Sequence, residues 1–163
     1  MTVLVTAASK HGSTFEIAGA IARALDRHGV QTELRNIDEV RKLDGFDAVV
    51  LGSAVYMGHW LEPARKFVER HGEELAERKT WLFSSGPVEV RHAPKEAEAV
   101  CDVDEIVAAT KAAEHRLFAG KLDKSVLSFP ERAAIRAVGA REGDHRDWDE
   151  IESWAGEIAA QVT

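Results

Sequence analysis

Three short segments hold the residues of this chain best suited to gripping a ligand. The first, "ASKHGST" at 8–14, places Ser9, Ser13 and Thr14 around Gly12, just ahead of a stretch with helical apolar spacing. A helix beginning there offers unsatisfied N–H groups and the positive end of a dipole, both of which favour an anion. The hydroxyls add donors, Lys10 and His11 add positive charge, and Gly12 allows close backbone approach and a positive φ. That chemistry suits a phosphoryl group. The same residues could equally serve only to cap the helix, through Ser13 or Thr14.

The second segment, "SAVYMGHW" at 53–60, runs through Ala54 and Val55 into Tyr56, Met57, Gly58, His59 and Trp60. Aromatic faces and a polarizable thioether suit packing against a flat ring; Met57, Trp60 and Tyr56 could instead be ordinary core residues. The third, "SSGPVEVRHAP" at 84–94, opens with Ser84, Ser85, Gly86 and Pro87, again small and hydroxyl-bearing. Several phosphate binders are excluded. Neither G-x-x-x-x-G-K-[ST] nor G-x-G-x-x-G occurs, which argues against a nucleoside triphosphatase loop and a dinucleotide site. A phosphoacceptor receiver needs acidic residues where this chain has Ala7, Ala8 and Ser53. His11 and His59 lack a second cluster at ligand spacing, so no metal site is expected. What fits is a mononucleotide, its phosphate in the first segment and its planar group across the other two.

The elements that must position these segments follow from hydrophobic period. "TVLVTA" (2–7), "DAVVLGSA" (47–54) and "TWLFSSG" (80–86) are apolar runs of the kind covered on both faces of a sheet. "QTELRNI" (31–37) alternates, as an edge strand does, and "EHRLFAG" (114–120) is a fifth strand. Between them, Ile17, Ile21 and Leu25 mark one amphipathic helix, ended by "HG" at 28–29. A second starts near Leu61 with Pro63 in its first turn, and a third, "DVDEIVAATKAA" (102–113), opens on a capping acid. The closing helix sets Trp148, Ile151, Ala155, Ile158 and Val162 on one stripe. Such alternation predicts right-handed crossovers in one α/β domain over residues 1–163. Its form is a three-layer sandwich around a five-stranded parallel sheet of order 2-1-3-4-5. Ligands of such sheets bind beyond the carboxyl ends of the strands, which is where all three segments fall. Residues 121–143 are too long for a simple loop; a short helix is expected over Glu131–Val138.

The chain has 163 residues, 45% hydrophobic and 30% charged, with a formal net charge of −7. That length supports one compact core, and the charge argues against nucleic acid as a partner. The single cysteine, Cys101, makes no internal disulfide and is expected in the core. With no signal-peptide pattern and no apolar run of ~18–20 residues, a cytoplasmic location without an integral membrane segment is expected. Trp81 and Trp154 are expected in the core or a lid.

These residues resemble the flavodoxin family. "SKHGST" matches its phosphate loop at Ser9, Gly12 and Thr14, "YMGHW" its second loop, and "SSGP" its third. Within that family the chain is similar to the flavodoxin-domain branch containing menaquinone-dependent protoporphyrinogen IX dehydrogenase. The similarity lies in "GSTFEIA", the spacing of Tyr56, Gly58 and His59, "AG" after the fifth strand, and Asp147–Trp148. The connection at 121–143 departs from that branch in its mixed charge. The resemblance implies a flavodoxin-like fold and FMN as a non-covalent cofactor. It also implies that Gly58 lets the peptide of the Met57-Gly58-His59 turn invert towards the flavin. Two roles follow as expectations. One is a redox protein that carries electrons between a reductase and an acceptor. The other is a flavin-dependent protoporphyrinogen IX or quinone oxidoreductase acting on an anionic substrate. Despite the net charge, Lys10, His11, His59, Arg91, His92 and Lys95 make the edge of the site locally basic, which favours an anionic reactant.

Overall fold

The computed structural model describes residues 1–56, 58–86, 103–122, 143–144 and 146–162. Its strands are β1 (Thr2–Ala8), β2 (Gln31–Asn36), β3 (Ala48–Tyr56), β4 (His59–Trp60), β5 (Lys79–Ser85), β6 (Glu114–Phe118), β7 (Lys121–Leu122) and β8 (Gly143–Asp144). The helices are α1 (Ser13–Arg27), α2 (Glu62–Ala76), α3 (Val103–Thr110) and α4 (Trp148–Val162), with a 3₁₀ turn at Ile37–Glu39. β1, β2, β3, β5 and β6 pair in parallel in the order β2-β1-β3-β5-β6. Setting aside the two-residue β4, which pairs antiparallel with β3, this is the expected 2-1-3-4-5 order.

Side chains alternate across the pleat, so each central strand feeds two cores. Val3, Val5 and Ala7 of β1 join Val50, Trp81 and Phe83 beneath α1 and α4. Leu4 and Ala8 face the other way, with Val49, Leu51 and Leu82, beneath α2 and Ile106 of α3. Burying each such aliphatic or aromatic side chain is worth about 1.5–3 kcal/mol, which makes the pairing register hard to slip. β2 is the exposed edge, as its alternating pattern predicts.

Several boundaries differ from expectation for physical reasons. β3 runs two residues past Ala54, because Val55 and Tyr56 find partners in Trp60 and His59. β2 stops at Asn36, whose side chain accepts from Asp38 N at 3.2 Å and starts the 3₁₀ turn. Trp148 is not on the buried stripe of the closing helix. α4 begins at that residue, one turn short of the core, and the stripe is Ile151, Trp154, Ala155, Ile158, Ala159 and Val162. Trp154 packs edge-on to Phe83 and Phe118 and donates through Nε1 to Glu114 Oε1 at 2.8 Å. Trp81 is also core. The expected helix at Glu131–Val138, Cys101 and the capping Asp102 lie outside the described residues.

Candidate functional site

The parallel sheet brings the segments after β1, β3 and β5 to one edge. β1 is the turning point there, since the chain builds β2 on one side of it and β3, β5 and β6 on the other. In the first segment the helix cap is a backbone device rather than a side chain. Gly12 is the N-cap, at φ 87°, with no side-chain cap, and its carbonyl accepts from Glu16 N at 3.0 Å. Ser13 and Thr14 therefore do not cap α1. Thr14 N donates instead to Ser9 Oγ, reaching back across the turn at 3.2 Å. Four buried side-chain polar atoms among the described residues lack a hydrogen-bond partner, and Thr14 Oγ1 is the one on a helix's first turn. An unmet buried hydroxyl costs about 1–3 kcal/mol. A long bond to a neighbouring serine and an unmet hydroxyl on one turn make a cradle that the chain alone does not saturate, and the donor set suits a phosphoryl group.

The second segment is a hairpin. Tyr56 pairs with His59 and Val55 with Trp60, and Gly58 sits in the connecting turn at φ 80°. Tyr56 is exposed, with Lys10 Nζ 5.1 Å from its ring centroid, so the first two segments meet. Ala54 and Val55 are half-buried behind them, and His59 is exposed. Met57 and Pro87 lie outside the described residues.

Trp60 departs from its expected role. It is 1% exposed and belongs to the core above α2, so its ring is not a stacking surface. It anchors the hairpin instead: Nε1 donates to Ser84 Oγ at 2.7 Å, and its carbonyl accepts from Arg65 Nε at 3.1 Å. Ser84 is likewise committed. Fully buried, it also bonds His115 Nε2 at 2.7 Å. Indole N–H only donates, so Ser84 accepts from Trp60, and the direction of its bond to His115 follows the tautomer of that ring. Burial pushes the His115 pKa down and keeps the ring neutral. Ser85 and Gly86 are buried at the end of β5, and Gly86 N donates to Phe118 O at 2.8 Å. Gly120 lies so close that a Cβ there would fall 3.1 Å from Gly86 N, which sets Gly86 firmly against the end of β6.

The sequence reading missed Arg146 and Asp144. Arg146 grips Asp144 with two parallel bonds, Nε to Oδ1 at 2.8 Å and Nη2 to Oδ2 at 2.7 Å. Its Nη1 reaches the first turn of α1, donating to Ser13 O at 3.2 Å beside Glu16 Oε1 at 3.4 Å. Its guanidinium also stacks on Trp148, 4.5 Å from the centroid. The hydrogen bonds from Arg146 pull the Asp144 carboxyl down to about 2. The signal was "DHRDW" at 144–148, an arginine between acids and an aromatic, which hydrophobic period alone reads as helix.

Comparison with known proteins bears on the fold. The profile of the flavodoxin domain family matches residues 4–149. The chain belongs to the flavodoxin domain family. It is 22% identical over 172 aligned positions to "Protoporphyrinogen IX dehydrogenase [quinone]" of Escherichia coli (strain K12), covering 98% of this chain and 95% of that protein. Its fold is that of oxidised flavodoxin 1 from Bacillus cereus, at TM-score 0.67 and 17% identity over all of both chains. It also matches a flavodoxin from the domain Archaea, at TM-score 0.66 and 18% identity over 99% of each. Flavodoxin-domain membership thus joins a cradle and a hairpin that the structure places on one edge.

Proposed function

We propose that this chain binds FMN without a covalent bond and passes electrons through it in the cytoplasm. The observation that carries the reading is the first turn of α1, where Gly12 caps with positive φ, Ser9 lends its hydroxyl to Thr14 N, and Thr14 Oγ1 is unmet. Ser9, Gly12, Ser13 and Thr14 would hold the phosphate, with Lys10 and His11 adding positive potential. Ala54, Val55, Tyr56, Gly58 and His59 would border the ring, and Ser85 and Gly86 its far side. Bound flavin supplies one- and two-electron chemistry that no side chain here can. The chain's own contribution is to orient and shield. Ser84 and Ser53 fix the hairpin from beneath, Ser53 Oγ accepting from Leu61 N at 3.0 Å and donating to Ala54 O at 2.8 Å. Titration with FMN, followed by absorbance and fluorescence, is expected to show one site per chain. Failure to bind any flavin overturns the reading.

A second reading, quinone-linked oxidation of an anionic substrate of the protoporphyrinogen kind, is favoured by the similarity to the Escherichia coli dehydrogenase over nearly the whole of both chains. The basic residues Lys10, His11 and His59 at the same edge support it. In the carrier reading the flavin instead exchanges electrons with a reductase and a protein acceptor. Among the described residues no helix is long and apolar enough to cross a membrane. Turnover of protoporphyrinogen with menadione as acceptor separates the two: steady turnover favours the enzyme, and none favours the carrier.

A further inference from the structure

We infer that Arg146 makes the first-turn cradle selective for a phosphorylated flavin over its dephosphorylated form, acting as a positioning residue through its charge. The inference rests on the flavin reading above. Two carboxylates stand close to the start of α1. Glu16 lies on the helix itself and Asp144 closes β8, whose pairing with β7 holds it in place. A phosphate monoester carries about 1.5–2 negative charges near neutral pH and would be repelled by both. Arg146 lies between them. Its side chain is 4% exposed, so solvent and salt screen its charge little. Its fork to Asp144 and its stack on Trp148 leave the guanidinium no freedom to swing away.

Those same bonds define how it acts. Nε and Nη2 are engaged by Asp144 and Nη1 by Ser13 O and Glu16, so Arg146 is not placed to become the main phosphate ligand. It cancels one of two nearby negative charges and tethers the Ser13 carbonyl, fixing the turn whose N–H groups face the anion. A flavin without its phosphate gains nothing from that cancellation. The riboflavin affinity therefore reports the fold of the site, and the difference between FMN and riboflavin reports the charge.

The test measures FMN and riboflavin dissociation constants, by fluorescence at low and moderate salt, for the wild-type chain and for Arg146→Met, Arg146→Lys and Glu16→Gln. Arg146→Met is expected to weaken FMN about tenfold while riboflavin changes less than about twofold, and Arg146→Lys to restore most of the loss. Glu16→Gln, at an exposed site that the fold tolerates, is expected to tighten FMN about threefold without moving riboflavin, an effect that shrinks with added salt. Equal losses of FMN and riboflavin in Arg146→Met, or a Glu16→Gln chain that binds FMN no better, overturn the inference. A wild-type chain that binds neither flavin overturns the flavin reading itself, and the inference falls with it.

Discussion

Two glycines show how differently one residue type can be constrained. Gly12 has open space where a Cβ would go, yet its φ of 87° is one that L-residues rarely adopt. Gly52 has ordinary strand geometry, but a Cβ there would fall inside the Phe83 ring, itself wedged against Phe118 and Trp154. Gly12→Ala should therefore cost about 1–2 kcal/mol of backbone strain and weaken FMN binding. Gly52→Ala should cost about 1–3 kcal/mol by overpacking and act on stability first. Urea midpoints with parallel FMN titrations check both. Gly12 was legible in the sequence because its demand is local, between a strand and a helix cap. Gly52 was not, because the demand comes from Phe83 on the next strand. His115 was hidden for the same reason, since Ser84 reaches it only across the β5–β6 pairing. Its lowered pKa means the folded chain prefers the neutral ring. Stability from that group is complete above the ordinary histidine value and declines with acidification until the lowered value is passed. A ring titration by NMR checks it, and a midpoint at or above the ordinary value defeats the assignment.

At the scale of elements, periodicity read the five parallel strands and the helices between them, because buried strands and amphipathic helices write their environment into the chain. It did not read β4, which is too short to have a period. The hairpin shows itself only through what holds it: Trp60 on Ser84, Leu61 on Ser53 and the pairing with β3. This also explains why Trp60 was misread, since a tryptophan beside a ligand loop and a tryptophan anchoring that loop look alike in one dimension. The phase of α4 slipped likewise. Asp147 accepts from Glu150 N at 3.1 Å and from Ile151 N at 3.1 Å, so the helix starts after it and Trp148 faces Arg146 rather than the core. The hairpin turn carries a prediction of its own. Gly58→Val forces a β-branched residue into a φ of 80°, which disfavours the present turn. The reduction potential of bound FMN is expected to shift from the wild-type value; identical potentials would remove Gly58 from any role in tuning it.

For the whole molecule, the strand order sets the position of everything else. The order reverses at β1, and the carboxyl ends of β1, β3 and β5 lie together because parallel strands all end on one side. The net charge of −7 does not fix the field at any one edge, so total charge and local field answer different questions. The link between the β7–β8 pair and α1 has its own acid signature. Asp144, ordinarily ionising near 3.8, is held to about 2 by Arg146. The tie between these elements is complete above the ordinary aspartate value and weakens as pH falls through about 2. Carboxyl NMR should place the Asp144 midpoint near 2 in the wild type, and near the ordinary value in Arg146→Met.

Ser9 supplies from within the chain the oxygen that accepts the Thr14 N–H. Because Thr14 N already has a partner within the chain, the first turn of α1 needs no ligand to satisfy that donor. If the chain holds FMN as proposed, a sample stripped of it should keep its circular-dichroism spectrum and take up synthetic flavin analogues; loss of that spectrum on stripping would count against a turn closed by its own side chains.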